Sequence, residues 1–209
     1  MRPRFEPVDV RFAPSHRSGA TLYRHTGRFD RSWLTVTYAL NEDEHSSRQT
    51  QGLGAVTNER LLAALLAAPH DDLAPVPALF DDAFGAPNAH TMAVVIEDVD
   101  GTRWAQRTLQ APLEIIEIEA RARDWESGSA VVHDWAGYGA RSVRVEHLCE
   151  TGAPWVLIQA AHYGIGLIDG CCEHQLLAPG EYRSERWTSA RWRFAEMVYR
   201  QFLTASENV

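Results

Sequence analysis

Between Ile116 and Arg123 the chain alternates strictly. Ile116, Ile118, Ala120 and Ala122 fall on one side of an extended segment, and Glu117, Glu119, Arg121 and Arg123 fall on the other. A period of two sends successive side chains to opposite faces, so this segment requires a sheet with one face on a core and one on water. A second pattern sets the complementary demand. Behind Ser184, read as a helix cap, Trp187, Ala190, Phe194, Met197, Val198 and Phe202 recur at helical spacing and form a wide apolar face that must be covered. A sheet face and a helix face of this kind predict an α+β chain.

With 209 residues, 45% of them hydrophobic, the chain can bury a substantial core without disulfides. The expected division is an irregular, arginine-rich N-terminal arm over residues 1–32, with one short strand at Thr21–Arg24, and a single α+β domain over 33–209. Trp33 to Leu40 reads as the first strand, and Asn41 to Gly54 as a charged loop. Thr57 or Asn58 caps a helix carrying Leu61, Leu62, Leu65 and Leu66, closed by Pro69, and a shorter helix follows Pro77. From Thr91 to Tyr163 the text reads as six strands, at Met92–Glu97, Thr102–Thr108, Leu113–Arg123, Ser129–Trp135, Arg141–Cys149 and Trp155–His162. Short glycine-bearing connections such as Asp100-Gly101 join them into an antiparallel meander. Gly164 to Tyr182 reads as irregular, ahead of the long C-terminal helix.

The expected fold is therefore a predominantly antiparallel sheet of six or seven strands packed against a long C-terminal helix, with two short helices inserted after the first strand. That element order, over about residues 33 to 205, resembles the helix-grip fold of the START and Bet v 1 superfamily. The resemblance rests on element order alone and carries no motif residues. It implies a curved sheet wrapped around the terminal helix, with an apolar cavity between them.

All 20 basic residues are arginine, so the chain contains no lysine. A Walker A loop, a protein-kinase site, a pyridoxal-phosphate Schiff base and a Ser-Lys dyad each need a lysine amine and are excluded. The net charge of −8 is uneven: residues 51–182 hold seven arginines against nineteen acids, while both ends are mildly basic. An acidic body argues against a broad nucleic-acid footprint. No apolar run exceeds Leu61–Ala68, and three cysteines, two of them adjacent, do not form a disulfide framework. A cytoplasmic chain without a membrane anchor is the expectation.

The densest set of potential nucleophiles is Cys171-Cys172-Glu173-His174 with His162 upstream. A thiolate beside an imidazole is what cysteine catalysis requires, which makes Cys172, His162 and His174 the candidate catalytic residues. No hydrolase signature surrounds them. His133, His147 and His162 on successive predicted strands lie too far apart for one ion at ligand distances of about 2 Å, and no metal is assigned. Gly164 to Gly170 is one residue too long for a dinucleotide loop, and no cofactor is assigned. Glu117 and Glu119 share a face with Arg121 and Arg123 and read as a self-neutralising solvated face.

Trp104, Trp135 and Trp187, with His133, His147 and Gln159, are the candidate lining of a cavity for a small apolar ligand. Arg186, Arg193 and Arg200 recur every seven residues and are the candidate site for an acidic protein or phosphate partner. Three readings follow: a non-catalytic ligand- or partner-binding protein, a small Cys/His-dependent enzyme, and an adaptor or mobile-element protein that binds a partner or nucleic acid through its arginine-rich ends.

Overall fold

The computed structural model describes residues 21–84, 89–146, 148, 153–183 and 186–206. In chain order the elements are β1 (Leu22–Phe29), β2 (Ser32–Leu40), α1 (Glu42–Gln51), α2 (Glu59–Ala67), β3 (Ala74–Pro75), α3 (Asp81–Phe84), α4 (Ala89–Met92), β4 (Ala93–Glu97) and β5 (Arg103–Arg107). They continue with β6 (Leu113–Ala122), α5 (Trp125–His133), β7 (Ala140–Val145), α6 (Ala153–Tyr163), β8 (Ile165–Asp169), β9 (His174–Leu177) and α7 (Ser189–Ser206). The chain is α+β, with a six-stranded sheet of order β1-β2-β6-β7-β8-β9, a three-stranded sheet of order β3-β5-β4, and the long C-terminal helix α7. Contacts divide it into two compact units, Met1–Leu40 with Glu114–Ser184, and Asn41–Leu113 with Glu185–Val209.

In the first unit β1 and β2 pair antiparallel as a hairpin, as do β8 and β9, whereas β6, β7 and β8 run parallel to one another. The parallel centre replaces the expected meander. Parallel neighbours need a crossover rather than a tight turn, and the crossovers are α5 and α6, the two segments expected to be strands. Asp124 caps α5 by accepting from the Ser127 amide, and the helix buries Trp125, Gly128 and Val132. Val131 and Val132 suggested a strand, but buried residues at 128 and 132 have helical spacing. A side chain at Gly128 would lie 2.3 Å from Val143, so the glycine lets α5 sit directly on β7. Two further differences remain: the short strand read at Thr21–Arg24 is a full strand, Leu22–Phe29, and β8 and β9 lie in the segment read as irregular.

In the second unit α2 follows its reading, with Asn58 accepting from the Leu61 amide and Leu61, Leu62 and Leu65 buried. It packs on α7, and Leu62, Leu65, Met92, Leu109 and Trp192 share one core. The β4–β5 hairpin turns at Gly101, whose φ of 85° favours glycine. The expected loop at Asn41–Gly54 is the helix α1, capped by Asn41 and closed by Gly52 at φ 65°. Its acidic first turn of Glu42, Asp43 and Glu44 and basic Arg48 in the last turn complement the helix dipole. It was missed because the residues it buries, Glu44 and Arg48, are charged. The cap of α7 is Thr188, whose hydroxyl accepts from the Arg191 amide; Ser184 lies outside the described residues.

Candidate functional site

Around Glu119 the polar face of the six-stranded sheet is a buried network and not the solvated face that alternation implied, while Arg121 stays exposed. Parallel register sets Glu119 on β6 beside Ser142 on β7, and Arg121 beside Arg144. Arg144 donates to both oxygens of Glu119, through Nε at 2.6 Å and Nη2 at 3.1 Å, and also reaches Glu173. Arg24 on β1 donates to the same Glu119 carboxylate at 2.6 Å. Next to this cluster, Ser142 donates its hydroxyl to Glu117. Ser142 is fully buried, and Glu119 and Arg144 nearly so. A serine closed off from solvent and bonded to a carboxylate has no route to a substrate, and the network's effect is to tie β1, β6, β7 and the β8–β9 turn together.

Burial lifts the Glu117 carboxyl above the ordinary glutamate range, the neighbouring Glu119 charge adding to it, while the Ser142 hydrogen bond and the charges of Arg24 and Arg144 pull the other way. With its folded pKa above the unfolded value, Glu117 binds more protons folded than unfolded, so stability falls as pH rises from the unfolded pKa through the raised one. Glu117→Gln keeps an acceptor for Ser142 and removes the charge. It should raise the melting temperature at neutral pH, with the gain shrinking as pH falls through the raised pKa and gone once pH is below the ordinary glutamate value. A melt series showing a pH-independent difference, or a loss at pH 7, contradicts this.

The fold sets Cys172 and His174 at one turn and His162 at the far end of β8. Cys171 and Cys172 are exposed in the β8–β9 turn, and His174 opens β9 opposite Asp169. Hydrogen bonds from the Cys171 amide and from both cysteines hold the Asp169 carboxyl below its ordinary range, and the Cys171 thiol donates to the Glu146 carbonyl at 2.8 Å. The group these thiols face is a carboxylate, not the imidazole a nucleophilic thiolate needs. His162 stands at the end of α6, just before β8 begins, whereas Cys172 lies just past the other end. Five residues of strand span about 16 Å. Among the described residues no three His, Cys, Asp or Glu side chains are grouped to hold a metal ion.

The candidate cavity lining is divided between the two units. Trp104 on β5 and Trp187, with the Arg191 guanidinium 4.3 Å over its ring, belong to the second unit. His133, Trp135 and Gln159 belong to the first, and His147 lies outside the described residues. In the second unit an indentation beside Glu44, Ser47 and Arg48 has a volume of about 10 Å³, room for a single water. Of the arginine stripe, Arg193 and Arg200 lie on α7, while Arg186 precedes the helix. Glu196, one turn before Arg200, is fully buried against Arg48.

What the fold does assemble is an apolar surface on α6. Pro154 sits in the first turn, and Gly164, at φ 62°, ends the helix by donating to the Ala161 carbonyl. Val156 and Ala160 face inward. The opposite stripe carries Trp155, 63% exposed, and Ile158, 60% exposed, with His162 one turn on. Beside it Tyr163 is half-exposed, with the rings of His133 and His162 edge-on to it at 5.1 and 4.9 Å. No residue of Ala153–Tyr163 is charged. That absence was the available signal, because a surface helix ordinarily turns charge to water. No protein-family model matches the chain, and neither the curated proteins nor the solved structures searched contain a match.

Proposed function

We propose that this chain is a non-catalytic protein-binding module whose recognition surface is the outer face of α6. One observation carries the reading: the helix is apolar on both sides, and its exposed side presents a tryptophan and an isoleucine one turn apart. A helix hydrophobic all round belongs in an interior, and an exposed Trp-Ile-His-Tyr strip becomes interior when a partner covers it. The fitting partner is a protein offering a complementary apolar ridge or groove with few charges. The exposed thiols of Cys171 and Cys172 suit a reducing compartment, consistent with a cytoplasmic partner.

Tryptophans at interface centres commonly dominate affinity, with losses of about 2 kcal/mol or more on truncation, roughly 30-fold. Trp155→Ala should weaken partner binding by about that factor and leave the melting temperature of the isolated chain nearly unchanged, because an exposed ring contributes little to folding. The test places a photo-crosslinking residue at Ile158, and in parallel at exposed Glu114 as a control, in cells that naturally make the protein. A discrete adduct from position 158 alone, lost in Trp155→Ala, supports the proposal. Equal labelling from both positions, or a marked drop in thermal stability with Trp155→Ala, refutes it.

A further inference from the structure

The three-stranded sheet of the second unit ends in β4, which has β5 on one side and no strand on the other among the described residues. An edge strand directs alternate N–H and C=O groups outward, and natural edges are usually blunted by charge, proline or a bulge. From Ala93 to Ile96 β4 carries none of these. Val94, Val95 and Ile96 are 46%, 37% and 48% exposed, so apolar side chains meet solvent on both faces of the strand, and Val99 in the following turn is fully exposed.

The complement of such an edge is another strand, and the charges select which one. In antiparallel pairing of β4 with a second β4 about Val95, Glu97 of each copy falls opposite Ala93 of the other. The next residue across the sheet is Arg107, paired with Ala93 on β5. Arg107 has its Nε buried with no hydrogen-bond acceptor among the described residues, and antiparallel pairing brings a carboxylate to the same row of the sheet as this cation. Parallel in-register pairing instead stacks Glu97 on Glu97, a like-charge contact that sheets avoid. The antiparallel arrangement also sets Val94 opposite Ile96 twice, on the face shared with Trp104 and Gln106. Branched and aromatic cross-strand neighbours of this kind stabilise a sheet.

We propose that two copies of this chain associate by antiparallel pairing of their β4 strands about a two-fold axis at Val95, joining two three-stranded sheets into one of six. The interface is isologous and closes at two copies. It lies in the second unit, whereas α6 belongs to the first, and the pairing does not depend on the α6 reading. Five residues of strand bury little area, so the association is weak and reversible.

Sedimentation velocity across a concentration series should show a monomer–dimer equilibrium for the wild-type chain. Val94→Lys with Ile96→Lys adds charge to solvent-facing positions and should raise the dissociation constant about tenfold or more, with an unchanged circular dichroism spectrum. Glu97→Lys, which touches no buried residue, should act in the same direction. In the dimer the two Val95 positions stand about 5 Å apart, so Val95→Cys should give a disulfide-linked dimer under mild oxidation, well above the background set by the wild-type thiols. A wild-type chain that stays monomeric throughout, open-ended growth beyond the dimer, or a dimer indifferent to all three substitutions overturns the proposal.

Discussion

Replacing Arg48 by methionine is expected to cost about 3–5 kcal/mol of folding stability, because it strands two carboxylates inside the second unit. Arg48 is 1% exposed and Glu196 0%. The guanidinium donates to both Glu196 oxygens at 2.8 Å, to Glu44 at 2.7 Å and to the Gln110 carbonyl at 2.9 Å. Burial works against the Arg48 charge, but the hydrogen bonds and charges of Glu196 and Glu44 outweigh it and hold its pKa above the ordinary arginine value. Exchanging a whole buried ion cluster for apolar residues is often neutral, but that route is closed here. Glu196 also accepts from the Val56 amide at 2.8 Å and from Trp192 Nε1 at 3.0 Å, and Glu44 from the Gln110 amide at 3.1 Å, so removing all three charges orphans those donors. Urea unfolding followed by circular dichroism measures the effect. An Arg48→Met variant within about 1 kcal/mol of wild type would show that the carboxylates relax to solvent or to neutral forms at little cost.

Trp192→Ala should be comparably severe, at about 3–5 kcal/mol, the range for truncating a large buried aromatic. The indole is 1% exposed among Leu62, Leu65, Met92 and Leu109, and the Arg107 guanidinium lies 5.5 Å from its ring centre. Trp192→Phe separates the two contributions, keeping most of the apolar volume and losing only the hydrogen bond to Glu196. Because Trp192 and Arg48 both act on the Glu196 carboxylate, Trp192→Phe and Arg48→Met should not be additive. Thermal and urea denaturation of the four proteins in that cycle give the coupling. A cooperative, near wild-type melt for Trp192→Ala would mean that α7 is not integral to the second unit's core.

Elements whose apolar pattern agrees with their geometry were legible from residues alone. The strand Leu113–Ala122, the leucines of α2, the Asp100-Gly101 hairpin and the long apolar face of α7 all fall where the pattern placed them. Of the described strand pairings, four are antiparallel and two parallel, in keeping with the antiparallel-dominated α+β reading. The misread elements share a cause. In α1 the buried side chains are Glu44 and Arg48, so hydrophobic periodicity is silent. In α6 both faces are apolar, so periodicity has no direction, and a run such as Trp155-Val156-Leu157-Ile158 is equally a strand by composition.

The same cause bears on function. His162 and Cys172 are ten residues apart in sequence, and their separation depends on β8 being extended between them, which the glycines around it concealed. The Trp155-Ile158 strip exists only because residues 153–163 are helical, since on a strand positions 155 and 158 point to opposite faces.

By itself, the sequence determined the fold class, the alternation of β6, the helices α2 and α7, and the exclusion of lysine chemistry, because each follows from local periodicity or residue type. Only the tertiary structure decided the parallel centre of the large sheet, the burial of Glu119 by Arg144 and Arg24, the Arg48–Glu196 lock, and the apolar surface left open on α6. The reason is physical: each of these rests on partners distant in sequence, and a side chain's charge or hydrophobicity does not disclose which distant group will desolvate it or leave it bare.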